Sequence, residues 1–160
     1  MAKKISKTNA MRVLDQQKLP YQCNEYETKD GKIDGVSVAE KVGKLPDEVF
    51  KTLVTRSPGR DYYIFVVPVN RELNLKKCAK ACGEKSVEMI PVKEITKVTG
   101  YVRGGCSPLA MKKQYPTFLH QSAENLPAIT VSGGKIGVQI TLRPTDLLQA
   151  CGGAFADLTD

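Results

Sequence analysis

The chain has 160 residues, 41% apolar and 26% charged, with a net charge of +7 and a pI near 9.2. These values fit one folded domain spanning 1–160 with its own hydrophobic core, and they exclude a wholly disordered or fibrous chain. The absence of a secretory leader and of an apolar run of spanning length sets the expectation of a cytoplasmic protein with no membrane contact.

The predicted elements alternate between helix and strand with no repeat or linker. Thr8 is a good cap for a first helix that carries Met11 and Leu14 and stops before Pro20. Tyr21 to Glu27 alternates like a strand, with Tyr21 and Cys23 on one face and Tyr26 on the other, where a surface position is the simpler reading. Ser37-Val-Ala-Glu40 has the pattern of a capping box for a short helix ending at Gly43. Pro46 and its acidic neighbours suit a helical first turn, and a strand follows over Thr52 to Thr55.

Asp61 to Pro68 is the strongest strand, entered through a hairpin turn at Ser57-Pro-Gly-Arg60. Arg71 to Ala81 reads as a basic helix closed by Gly83, and Pro91 to Lys97 as a second short helix with proline at its first position. Ala128 to Val131 and Ile136 to Leu142 flank Ser132-Gly-Gly-Lys135 as a hairpin. Pro144 to Ala150 is a last helix, and Ala154 to Asp157 a last strand. The fold class is therefore α/β in the α+β sense: a mixed, largely antiparallel sheet curled toward a barrel and surrounded by helices.

Five cysteines form no Cys-x-x-Cys pair, and the single histidine, His120, is distant. That spacing does not make a zinc site, so no metal and no cofactor is expected, and free packed thiols are the simplest account. Excess lysine favours a polyanion partner, although a solvated basic surface is an equally good reading of charge alone.

Three positions carry candidate chemistry. Cys106 lies in Arg103-Gly-Gly-Cys-Ser-Pro108, before a plausible helix start whose N–H groups would favour a thiolate. A nucleophile there needs a base, and only His120 could serve. Free cysteines are more often packed than catalytic, so Cys106 reads as a spectator. Ser132-Gly-Gly-Lys135 lacks the spacing and the following helix of a phosphate loop and reads as a turn. Lys51, between apolar residues in Val49-Phe-Lys-Thr-Leu-Val54, must either reach out to water or meet an anion.

Four strings in fixed order carry a resemblance: Val49 to Val54, Leu73 to Lys80, Thr99 to Pro108 and Val131 to Lys135. Together they resemble the YbaK/EbsC family of free-standing aminoacyl-tRNA deacylases, which are related to the editing domain of bacterial prolyl-tRNA synthetases. The likeness runs from about Thr8 to Asp157, and the pattern is similar to the Cys-tRNA(Pro)/Cys-tRNA(Cys) deacylase branch. The resemblance implies a curled mixed sheet with outer helices, and trans-editing of mischarged tRNA by ester cleavage, as a hydrolase or a lyase. In that chemistry the substrate's own cysteine thiol attacks the ester and leaves as a small cyclic thioester.

It further implies a functional role for Lys51, holding a terminal phosphate or orienting the ester. Substrate-binding roles are implied for Tyr26, Thr52, Gly104, Gly105, Ser132 and Gln139. Gln139 and His120 stand where some members carry aspartate. The glycine pair is read as a loop that brings bare backbone to the substrate, with Ser107-Pro108 starting a turn whose free N–H groups face it. Lys76, Lys77, Lys80, Lys112 and Lys113 are the expected tRNA-binding surface, and a prolyl-tRNA synthetase is the candidate protein partner. Two alternatives are an Ala-tRNA(Pro) deacylase and a non-catalytic module that binds tRNA or the synthetase.

Overall fold

The computed structural model describes residues 7–160. The N-terminal lysines at 3 and 4 lie outside the described residues. Helix α1, Asn9–Gln16, begins where the Thr8 hydroxyl accepts the Met11 N–H at 3.2 Å, and buries the stripe Ala10, Met11 and Leu14. Strand β1, Gln22–Glu25, follows. Helix α2, Gly35–Lys41, starts earlier than the Ser37 pattern implies. Its cap is Asp34, whose carboxylate accepts the Ser37 N–H at 3.1 Å and the Ser37 hydroxyl at 2.7 Å. Gly35 permits this start, since a Cβ there would lie 2.4 Å from a Val69 methyl.

Strands β2, Phe50–Arg56, and β3, Tyr62–Pro68, form the expected hairpin. The strand begins before the expected Thr52 and takes in Lys51, which therefore sits within a sheet. Helix α3, Leu75–Cys82, is capped by Asn74 and ends at Gly83 with φ +74°. Two residues of β4, Glu88–Met89, precede helix α4, Ile95–Thr99. Then come β5, Thr117–His120; β6, Ile129–Lys135; β7, Val138–Leu142; helix α5, Pro144–Cys151; and β8, Ala154–Ala156. The Ser132–Lys135 segment is not the hairpin turn. It is an irregular end of β6, bulged between Ser132 and Lys135, and the chain reverses at Ile136-Gly137, where Gly137 has φ +94°.

The strands form two sheets among the described residues. One is antiparallel, in the order β1-β7-β6; the other is mixed, in the order β4-β2-β3-β5-β8, with β5 parallel to both β3 and β8. They meet where Val49 bridges Thr130 in parallel. The two sheets enclose the main core, in which Phe50, Val54, Ile64 and Val66 pack against Val131, Ile140, Leu14 and Leu147. The opposite face of the mixed sheet carries a second core: Phe65, Val67, Cys78, Ala79 and Leu158. Strand β3 is thus buried on both faces, which explains its unbroken apolar run. Each such buried side chain contributes roughly 1.5–3 kcal/mol.

Candidate active site

A cavity of about 680 Å³ opens along β2, between the β6–β7 hairpin, the loop at 103–106 and the segment around Ile33 and Asp34. It exists because β2 is covered on one side only in part. β4 pairs with β2 at Thr55 and Arg56, and Ile90 donates its N–H to the Val54 carbonyl at 3.2 Å, before Pro91 turns the chain away. Residues two apart in a strand send their backbone groups to the same side, so the Thr52 N–H and C=O point to the uncovered edge.

Lys51, Thr52, Gly104, Ser132 and Gln139 all line this cavity. Lys51 is half-buried, and its ammonium stands 3.7 Å from a Glu72 carboxylate oxygen on a side chain that is 95% exposed. Such a pair is worth at most about 1 kcal/mol, so an incoming anion can replace the glutamate at low cost. Among the described residues, the Thr52 hydroxyl is buried with no hydrogen-bond partner, and so is the carboxamide oxygen of Gln139, whose residue is 6% exposed. Ser132 and Gln139 are cross-strand partners on β6 and β7, and the Ser132 hydroxyl accepts the Gly134 N–H at 3.2 Å. Unpaired buried polar atoms cost about 1–3 kcal/mol each, which a ligand making those bonds would recover.

The two loop glycines do different things. Gly104 forms cavity wall with φ +86°, and a Cβ on it would meet Ile33 Cδ1 at 3.3 Å. Gly105 is buried against the hairpin, where a Cβ would lie 2.9 Å from the Ile136 backbone nitrogen. The structure therefore corrects the expectation for Gly105: its missing side chain admits the hairpin, and the residue is not on the cavity wall. Nor does Ser107 begin a helix. Leu109 donates its N–H to the Ser107 hydroxyl at 3.2 Å, Ala110 takes φ +57°, and Tyr101 donates its hydroxyl to the Leu109 carbonyl at 2.6 Å. The amides expected to face a ligand there do not form a helix start.

Tyr26 is also absent from the cavity wall. It is buried, contrary to the surface reading, with its hydroxyl unpartnered among the described residues and the Lys41 ammonium 6.0 Å from its ring centre. Cys106 does line the cavity but is 9% exposed, and burial pushes its thiol up to about 11. Its sulfur lies 4.0 Å from the Thr99 hydroxyl. His120 serves elsewhere: Nδ1 accepts the Leu158 N–H at 3.2 Å, and Nε2 is 3.3 Å from the Thr159 hydroxyl. Burial and the adjacent Arg71 lower its pKa. The Cys106–His120 pair that covalent catalysis would require is not formed.

The five lysines lie off the cavity. Lys76 and Lys80 are exposed on α3, and Lys112 and Lys113 are exposed beyond the loop. Lys77 is tied down, 3.0 Å from Asp157 and donating to the Thr159 carbonyl at 2.7 Å. Sequence reasoning missed Arg103, exposed at the cavity, and an apolar lip of Met89, Val92 and Ile95. Nothing in periodicity marks a two-residue strand or a lip built from a 3-10 turn. Among the described residues no group of three or more His, Cys, Asp or Glu side chains could hold a metal ion, and no helix is long and apolar enough to cross a membrane.

A model of the aminoacyl-tRNA editing domain matches residues 34–150. An Enterococcus faecalis protein named provisionally as Cys-tRNA(Pro)/Cys-tRNA(Cys) deacylase EbsC is 47% identical over 99% of this chain and 98% of its own. Two crystal structures share the fold. One, of a hypothetical protein, has a TM-score of 0.87 at 20% identity, covering 96% of this chain and 100% of the other. The second, of a candidate trans-editing enzyme for prolyl-tRNA synthetase, has a TM-score of 0.81 at 22% identity, covering 97% and 99%. The matched segment contains Lys51, Thr52, Gly104, Ser132 and Gln139, and with a 47% identical relative along nearly its whole length, this chain belongs to the aminoacyl-tRNA editing domain family.

Proposed function

We propose that this chain, acting as one domain over 1–160, removes cysteine from mischarged tRNA(Pro) in the cytoplasm by cleaving the aminoacyl ester. The name of the Enterococcus faecalis relative supports that choice of substrate. The observation that carries the reading is the pairing of a half-buried Lys51 with two buried, unpartnered polar atoms, on Thr52 and Gln139, in one cavity. The space is of the size that takes a small ligand, here the aminoacyl group with part of the terminal adenosine.

In this account the Thr52 backbone N–H and hydroxyl donate to the ester carbonyl oxygen as negative charge develops on it. The Gln139 carboxamide oxygen accepts from the substrate's α-amino group or a ribose hydroxyl. Lys51 leaves Glu72 for the terminal phosphate, as a point-charge partner. The substrate thiol forms a bond to its own carbonyl carbon, the carbon–oxygen ester bond breaks, and the thiol proton passes to the leaving ribose oxygen. Cys106 takes no part. Lys76, Lys80, Lys112 and Lys113 contribute attraction to the tRNA backbone, read out as the slope of log affinity against log salt. A prolyl-tRNA synthetase is the protein partner that fits this task.

The test is single-turnover loss of the ester from Cys-tRNA(Pro) by the parent protein and by Lys51→Ala. The parent should discharge the tRNA, and the variant should be slower by roughly a hundredfold, the scale of misplacing the ester once its terminal phosphate is no longer held, with its thermal unfolding unchanged. A folded Lys51→Ala with near-parent activity would remove the lysine from the site. A parent that binds the tRNA and leaves its ester intact would make the protein a binding module.

A further inference from the structure

A second, smaller cleft lies at the same end of the mixed sheet, and nothing in the proposed reaction uses it. It has a volume of about 330 Å³ and is lined by Arg71, His120, Gln121, Ser122, Glu124 and Asn125. Its position relative to the cavity follows from strand register. Lys51 on β2 is opposite Val67 on β3. One step beyond the Val66–Leu119 pair, His120 on β5 falls in the row of Val67. Side chains in one row of a sheet share a face, and two strand spacings separate Lys51 from His120 by about 10 Å. The consecutive residues Arg71 and Glu72 stand between the two openings: Glu72 reaches Lys51, while Arg71 lines the cleft.

The cleft is chemically equipped and partly unsatisfied. Among the described residues no carboxylate lies within ion-pair distance of Arg71. Its guanidinium nitrogen is 3.5 Å from His120 Nε2 and 3.5 Å from the Thr159 hydroxyl. His120 offers it no acceptor, because Nδ1 takes the Leu158 N–H and the ring proton therefore sits on Nε2. Among the described residues the Ser122 hydroxyl has no partner, and it is buried. Arg71 supplies a planar cationic fork suited to phosphate. Ser122 and Asn125 supply neutral donors and acceptors, and Glu124 the one carboxylate, able to accept from a hydroxyl or a base amino group.

We infer that this cleft is a nucleotide subsite for the single-stranded 3′ end of the RNA, with Arg71 on a phosphate and Ser122, Glu124 and Asn125 on the sugar and base edge. The inference rests on the reading that Lys51 receives the terminal nucleotide. A strand whose last nucleotide enters the cavity passes directly over Arg71 and Glu72, so the preceding nucleotide reaches the cleft. The mixed polar lining suits a nucleotide better than a bare phosphate, since one cation and one carboxylate leave the cleft without net charge.

The experiment measures binding of two probes, the trinucleotide CCA and adenosine 5′-monophosphate, to the parent and to Arg71→Ala at several salt concentrations. CCA should bind Arg71→Ala about fivefold to tenfold more weakly, and the slope of log affinity against log salt should flatten by about 0.7, one phosphate contact on a single strand. Adenosine monophosphate, the terminal nucleotide that the account places at Lys51, should bind both proteins alike. Equal CCA affinity and equal slope for the two proteins would overturn the subsite. Should Arg71→Ala fail to fold, Asn125→Ala decides: CCA affinity must fall without a change in salt slope, and the Ser122 and Asn125 amide resonances of the parent must shift with CCA but not with the mononucleotide. Unshifted resonances overturn the inference. Deacylation of Cys-tRNA(Pro) by the parent is scored separately. Its absence counts against the proposed function, whereas unchanged CCA affinity and salt slope in Arg71→Ala, with parent deacylation intact, count against the cleft alone.

Discussion

Cys106 gives the account a position where two mechanisms part by orders of magnitude. Its thiol lies on the cavity wall, 9% exposed and pushed up by burial to about 11. Burial disfavours the charged form, so the thiol stays neutral until the pH rises toward that value. At pH 7, four units below, about one molecule in ten thousand carries the thiolate. Among the described residues its one hydrogen-bond partner is the Thr99 hydroxyl at 4.0 Å, and the single imidazole, His120, is engaged with Leu158 and Thr159.

Cys106→Ala should therefore leave single-turnover deacylation of Cys-tRNA(Pro) within a few fold of the parent. It removes one buried atom of methyl size, so stability should drop by on the order of 1 kcal/mol, measured by denaturant unfolding. The pH profile separates the mechanisms further. A rate that ran through the Cys106 thiolate would climb tenfold per pH unit from pH 6 to 9, and the variant would lose that slope. The parent and Cys106→Ala should instead share one profile. A thousandfold loss of rate, or a slope present in the parent and absent from the variant, would refute the spectator role.

The adjacent glycines should separate fold from site. Gly105→Ala places a Cβ 2.9 Å from the Ile136 nitrogen and should cost about 1–3 kcal/mol in chemical unfolding. Gly104→Ala strains a residue at φ +86° by about 1–2 kcal/mol and narrows the cavity beside Ile33, so it should also raise KM. His120 makes stability depend on pH, with Arg71, Lys77 and Asp157 as the charged groups that bear on it. Its folded pKa is depressed below the ordinary 6.5, so the unfolded chain binds more protons between the two values. Stability should hold above about pH 6.5 and fall as pH drops through the folded value; His120→Asn should remove that dependence in thermal melts, and an unchanged slope would refute it.

The legibility of the fold varied with how local its causes are. Thr8, the Ser57–Arg60 turn and the run from Tyr62 to Pro68 carry their structure in adjacent residues, and each forms as read. The helix at 35–41 was legible as a helix, but its cap was misread, because Asp34 outcompetes Ser37 and Gly35 is needed by Val69, a contact far along the chain. The bulge in β6 was read as the turn because two glycines mark irregular backbone without saying which irregularity. Strands β4 and β5 were missed; two or four residues between loops carry too little periodicity to register. At the site, ordered motifs and the resemblance they carry pointed to five residues that the fold brings onto one cavity, four of them within the motifs. They could not show that Gly105 faces the hairpin or that Tyr26 is enclosed, since both depend on which surface a neighbouring strand covers.

The central claim is that the cavity clears cysteine from tRNA(Pro) by the substrate's own thiol. Its most direct measurement is single-turnover deacylation of matched Cys-, Ser- and Ala-tRNA(Pro) at saturating protein. Serine is nearly isosteric with cysteine but is a much poorer nucleophile, and alanine has none. The account predicts the Cys ester to be lost fastest, by well over tenfold, with a cyclic thioester as the first product, and the Ser and Ala esters to persist. Equal rates for Cys-tRNA(Pro) and Ser-tRNA(Pro), or preferential loss of alanine, would contradict it.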